Sequence, residues 1–153
     1  MRVADYIVQS LPEVTFLVYG AAIAELVDAF PRNSKTYVCS MHEQAAGFMA
    51  EGYAKLRGLG CAMSTSGPGA LNLVTPIGNC FYDSVPVIFI TGQVSSKFMK
   101  TSPSIRQIGF QETDIVNICR PITKYAVTIK SPDRVKDCLE DAIHAAQEGR
   151  KGP

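Results

Sequence analysis

Cys61-Ala62-Met63-Ser64-Thr65-Ser66-Gly67-Pro68-Gly69-Ala70 is the stretch that sets the architecture. Residues 61–64 read as a short buried strand, Gly67-Pro68-Gly69 as a turn, and residues 70–82 as a helix. The same unit occurs twice upstream. Residues 14–18 are an apolar run of strand length, Gly20 follows, and residues 21–30 place Ile23, Leu26, Val27 and Phe30 on one helical face. Residues 36–39 read as a second strand, and residues 43–56 as a helix broken by Gly58 and Gly60. Before these units, Val3, Ile7 and Leu11 form a short opening helix that Pro12 stops. Downstream, residues 85–91 are a buried strand and residues 95–109 a long loop without periodicity. A short helix over residues 112–118 comes next, and Tyr125, Val127 and Ile129 then alternate as a fifth strand. Ser131 reads as an N-cap with Pro132 in the first helical position. The apolar stripe Val135, Cys138, Leu139, Ala142, Ile143, Ala146 forms the closing helix, which ends at Gly149.

Strands alternating with helices imply right-handed βαβ units. The expected fold is α/β: three layers, α/β/α, around a parallel sheet of flavodoxin-like topology, in one domain over residues 1–153. Composition agrees, with 46% hydrophobic and 19% charged residues. A formal net charge of +1 gives no field favouring nucleic acid or an anionic membrane, so neither is expected as a partner. The five cysteines include no Cys-x-x-Cys pair and sit among apolar neighbours, which suits free thiols in a reducing compartment. With no secretory h-region after Met1 and no apolar run long enough to span a bilayer, the expected location is cytoplasmic.

In a parallel sheet every strand-to-helix turn lies along one edge, where open α/β sheets bind ligands. Three unusual turns converge there: Tyr19-Gly20-Ala21-Ala22, Ser40-Met41-His42-Glu43 and Thr65-Ser66-Gly67-Pro68-Gly69. Glu43 has two readings. With Ser40 it fits a capping box at the positive end of a helix. Alternatively, it is a partly buried carboxyl facing a ligand, where desolvation favours the protonated form. The turn at residues 65–69 resembles a phosphate cradle, but it matches neither dinucleotide nor P-loop patterns. Ala46, Gly47, Ala50 and Ala54 form a small-residue strip suited to close backbone packing, either on this domain's own sheet or on a second subunit.

These residues also carry a family resemblance. His42-Glu43-Gln44-Ala45-Ala46-Gly47-Phe48-Met49-Ala50-Glu51-Gly52-Tyr53-Ala54 and Thr65-Ser66-Gly67-Pro68-Gly69-Ala70-Leu71-Asn72-Leu73-Val74-Thr75 resemble ordered segments of thiamine-diphosphate-dependent enzymes. Asp83-Ser84-Val85-Pro86-Val87, Thr91-Gly92-Gln93-Val94, Gly109-Phe110-Gln111-Glu112-Thr113-Asp114 and Arg120-Pro121-Ile122-Thr123-Lys124 continue the likeness, as does Gly149-Arg150-Lys151-Gly152-Pro153. The kin are acetolactate synthase-like enzymes, and the matching region is their N-terminal pyrimidine-binding domain.

The resemblance implies thiamine diphosphate as cofactor and decarboxylation of a 2-oxo acid such as pyruvate, followed by transfer of the carbanion or release of aldehyde. It makes Glu43 the carboxyl that hydrogen-bonds the aminopyrimidine N1′ and promotes its imino tautomer, whose 4′-nitrogen deprotonates the thiazolium. Gly20 and Ala21 then face the thiazolium, and Thr65, Pro68 and Asn72 lie near the pyrimidine. Phe110 and Gln111 lie on the substrate side, so Glu43 and Gln111 are the catalytic candidates. Mg2+ is implied through a separate C-terminal domain whose Gly-Asp-Gly…Asn-Asn segment this sequence does not contain; FAD use stays open. The kin are homo-oligomers, dimers or tetramers, whose sites are shared between subunits. Three features depart from the kin: the Leu17–Ala22 segment, Met41 in place of an arginine, and a longer 95–108 segment carrying Arg106-Gln107. The chain is thus expected to be part of a longer enzyme and inactive alone. A stand-alone pyrimidine subunit of a heteromeric decarboxylase, or a non-catalytic flavodoxin-like binding module, are the alternatives.

Overall fold

The computed structural model describes residues 1–102 and 104–153; Pro103, inside the expected long loop, lies outside the described residues. Helix α1 (Val3–Ser10) leads into β1 (Val14–Leu17). A single 3-10 turn, Ala21–Ile23, opens α2 (Ala24–Arg32), and β2 (Thr36–Cys39) and α3 (Glu43–Arg57) follow. Then come β3 (Gly60–Ser64), α4 (Pro68–Asn72), α5 (Val74–Asp83), β4 (Val87–Thr91), α6 (Ile115–Cys119) and α7 (Val135–Gln147). The strands form one parallel sheet in the order β2-β1-β3-β4. The chain starts in the middle of the sheet, winds outward one way to β2, then returns past β1 to β3 and β4. That reversal creates the crevice where such sheets bind ligands.

Period-two alternation assigns each strand residue to a layer. Leu17, Cys61, Met63 and Ile88 point to one face and pack with Val8 of α1, Ala29 and Phe30 of α2 and Ala146 of α7. Ala62 and Val87 point to the other, against Ala50 and Ala54 of α3, Ile77 and Cys80 of α5 and Cys119 of α6. The result is the expected three-layer α/β/α arrangement. The small-residue strip of α3 is internal: Ala46, Gly47, Ala50 and Ala54 are all buried. Two glycines let the layers close. A Cβ at Gly60 would lie 2.1 Å from the Ala50 carbonyl oxygen, and one at Gly47 2.4 Å from the Pro76 ring. Of the two readings of the strip, the structure selects the domain's own core.

Four expectations change. The helix expected over residues 70–82 is two, α4 and α5, meeting at Leu73. Pro76 has no N–H to give the carbonyl of Asn72, so the helical ladder breaks there. The Ser40–Glu43 capping box does not form. The Ser40 N–H is already donated to the Leu17 carbonyl, and α3 is capped by His42, whose Nδ1 accepts the Gln44 N–H at 3.1 Å. Ser131 precedes Pro132 as expected, but its hydroxyl caps no backbone N–H; a 3-10 turn, Pro132–Arg134, opens α7 instead.

The fourth change concerns residues 125–129, which join no strand ladder among the described residues. They face β4 across a groove of about 530 Å³, lined also by Val135, Cys138, Leu139 and Ala142 of α7. Alternating apolar residues there have a core to face but no neighbouring backbone within reach, and a strand exists only through its ladder.

Candidate functional site

The three unusual turns meet at the C-terminal edge of the sheet, because β1, β2 and β3 run parallel and end side by side. Gly20 follows β1 and touches the first residue after β3: a Cβ at Gly20 would lie 2.4 Å from Thr65 Cβ. Any other residue there would push the two turns apart. Gly69, on α4, is in turn closed in by Thr65 and by Glu43; its notional Cβ would meet Thr65 Cγ2 at 2.8 Å and Glu43 Oε1 at 3.2 Å. Gly20, Thr65, Gly69 and Glu43 are therefore one contiguous group drawn from three strand ends.

Glu43 opens α3 and is half-buried. Its carboxylate turns away from its own helix terminus toward α4, where Oε2 accepts a hydrogen bond from Asn72 Nδ2 at 2.8 Å. Asn72 thereby fixes one oxygen and leaves Oε1 beside Gly69. A carboxyl held this way, on a crevice rim beside a helix N-terminus, can exchange a proton with a ligand nitrogen placed against Oε1. Pro68 occupies the first turn of α4 and is exposed, and Ala21 is exposed in the 3-10 turn after Gly20.

Phe110 and Gln111 come to the same edge from the long loop. The Glu112 N–H donates to the Gly109 carbonyl at 3.3 Å, closing a turn with Phe110 and Gln111 at its tip. Phe110 is 80% exposed. Gln111 has a φ of 57°, a left-handed conformation that glycine ordinarily supplies. Such a residue costs on the order of 1–3 kcal/mol and persists only where its surroundings over-determine it. Its backbone abuts Gly67 (φ 60°), where a Cβ would lie 2.6 Å from Gln111 Cβ. The 67–69 turn and the 109–112 turn interlock through that glycine, which links Gln111 to the group around Glu43.

Two contributors escaped sequence reasoning. Gly92, after β4, sits against Ala22, where a Cβ would lie 2.5 Å from the alanine Cβ, so the fourth strand end joins the same rim. Glu112 accepts the Lys100 N–H on Oε1 at 2.7 Å and the Ile108 N–H on Oε2 at 2.9 Å. These backbone donors, Ile108 first, hold its carboxyl below the usual carboxylate range. Neither contact has a sequence signature, since both depend on backbone geometry in a loop. Among the described residues no cluster of three His, Cys, Asp or Glu side chains is arranged to hold a metal ion.

Residues 1–118 match the family described as "Thiamine pyrophosphate enzyme, N-terminal TPP binding domain". The acetolactate synthase large subunit of Corynebacterium glutamicum is 41% identical over 159 residues, covering 100% of this chain and 24% of that protein. The mitochondrial acetolactate synthase catalytic subunit of Saccharomyces cerevisiae is 41% identical over 136 residues, covering 88% and 19%. The chloroplastic acetolactate synthase of Arabidopsis thaliana is 38% identical over 156 residues, covering 98% and 22%. The chain spans about a quarter of the length of the curated relatives it matches. With the family match covering α1 to α6 and every residue of the Gly20–Thr65–Glu43 group inside it, the chain belongs to the thiamine pyrophosphate enzymes and carries their N-terminal TPP-binding domain.

Proposed function

We propose that this domain serves an acetolactate synthase-like enzyme that decarboxylates a 2-oxo acid such as pyruvate. The observation that carries the reading is the Glu43 carboxylate at the shared strand-end edge, one oxygen held by Asn72 and the other beside Gly69 of α4. The residues fit an aminopyrimidine through Glu43, whose Oε1 offers a proton-exchanging oxygen, while the glycines at 20, 67 and 69 let the neighbouring turns pack closely enough to bring it to the strand ends. The bound cofactor supplies an acidic thiazolium carbon able to add to a 2-oxo acid. Glu43 holds or gives the proton at Oε1, Asn72 keeps that oxygen aimed, and Gly20 and Thr65 set the distance between strand ends. Phe110 and Gln111, at the tip of their turn, face the incoming acid.

Mg2+ and the diphosphate are held elsewhere, in a domain supplied by a longer polypeptide of which residues 1–153 form the N-terminal part. The relatives support this, since the chain spans about a quarter of their length. Subunits pair through the outer face of α3, where Phe48 and Met49 are each 43% exposed and Gly52 meets nothing within 4 Å. The five free thiols suit the cytoplasm; no helix among the described residues is long and apolar enough to cross a membrane.

The test is Glu43→Gln in the full-length enzyme. A glutamine keeps the size and the hydrogen bond to Asn72 but cannot exchange the proton, so turnover should fall by about two to four orders of magnitude, the usual worth of a positioned acid–base group. Unchanged turnover would overturn the reading and leave a binding module.

A further inference from the structure

We infer that Glu112 is a positioning residue for the substrate-side pair Phe110 and Gln111, an inference that rests on the function proposed above. Nothing in that function uses Glu112, yet its carboxylate makes two backbone hydrogen bonds that enclose the turn. One oxygen holds the Ile108 N–H at 2.9 Å and the other the Lys100 N–H at 2.7 Å. The Ile108 bond and the backbone bond from Glu112 N–H to the Gly109 carbonyl form two nested rings around Phe110 and Gln111. Carboxylate-to-amide bonds are short and roughly twice as strong as neutral ones.

The turn needs such a brace. Gln111 is held at a φ of 57° with no glycine to relax it, and Phe110 is too exposed to be fixed by packing. Two other contacts hold the base of the turn: Gln93 Nε2 donates to the Thr113 carbonyl at 2.7 Å, and the Val94 side chain closes over Gly109. These secure residues 109 and 113, whereas the Glu112 side chain ties the turn to Lys100 and Ile108 of the preceding segment. The brace is where the shape of that segment is passed to the pair that meets the acid.

Glu112→Gln tests this in the full-length enzyme. The amide keeps one accepting oxygen and sets an NH2 group against the other backbone N–H, so one bond is lost. The expected result is a KM for the 2-oxo acid raised about tenfold, the loss of one charge-assisted hydrogen bond. Thiamine diphosphate affinity and melting temperature stay as in wild type, and tryptic cleavage after Lys100 and Arg106 becomes faster. A KM and a cleavage rate both equal to wild type would overturn the inference. So would a rise in KM accompanied by parallel falls in cofactor affinity and melting temperature, which marks a purely structural carboxylate. A wild-type enzyme that binds no thiamine diphosphate overturns the functional reading and the inference with it. Normal cofactor binding with an unmoved KM overturns the inference alone.

Discussion

Cys61 lies inside the sheet on β3, and burial pushes its thiol up to about 12. Cys80 on α5 is also pushed up to about 12, by burial first and then by the nearby Glu51 carboxylate. Cys119 is raised by burial alone, while Cys39, at the end of the edge strand β2, is exposed. Because the thiolate is the reacting form, a raised pKa and a covered sulfur act together. Iodoacetamide at neutral pH should label Cys39 first in the folded chain and reach Cys61 and Cys80 only after denaturation; mass spectrometry showing labelling of Cys61 at the rate of Cys39 would contradict this burial. The site was legible at this scale where residue type carried it. Glu43, Thr65 and Asn72 are chemically suited wherever topology puts them together. The sequence was silent where backbone conformation decides, as at Gln111, whose positive φ no side chain announces. It misled at Ser40, whose N–H was already committed to the sheet.

At the scale of elements, α3 shows how one helix divides its faces. Its small residues seat it on β3 and α5, with Gly47 against Pro76 and Ala50 against Gly60. A second seam uses charge: Glu51, buried on the same helix, accepts Asn79 Nδ2 at 2.9 Å and Lys55 Nζ at 2.6 Å, while Glu43 accepts Asn72 two turns earlier. The strip alone could not say which backbone it approached, because small residues at i, i+4 spacing serve either seam. Two substitutions separate the faces. Gly47→Leu overpacks the inner seam and should cost about 1–3 kcal/mol of stability without changing oligomer mass. Phe48→Glu with Met49→Glu puts charge on the outer face and should lower the mass of the full-length oligomer in sedimentation while leaving the domain folded. An inner substitution that dissociates the oligomer, or an outer one that leaves it intact, would reassign the interface.

At the scale of the whole molecule, the β4 edge of the sheet is left open beside an apolar groove. Gly92 donates its N–H to Ser64, so by strand alternation the backbone groups of Ile88 and Ile90 face β3, while those of Val87, Phe89 and Thr91 face the groove. A free edge beside an apolar channel is a liability that proteins cover. The far wall offers matching groups: Thr123 and residues 125–130 line it, and the Lys124 N–H donates to the Pro153 carbonyl at 2.7 Å. A strand laid into the groove between β4 and residues 125–129 would find backbone partners on both sides. The alternation of Tyr125, Val127 and Ile129 is a strand pattern that finds no ladder partner among the described residues. Hydrogen exchange on residues 1–153 and on the full-length protein distinguishes the outcomes. The amides of Phe89 and Thr91 should exchange quickly in the first and slowly in the second, while those of Ile88 and Ile90, bonded to β3, should be protected in both. Equal rates at Phe89 and Thr91 in the two proteins would show that the groove stays open, and that the sheet ends at β4.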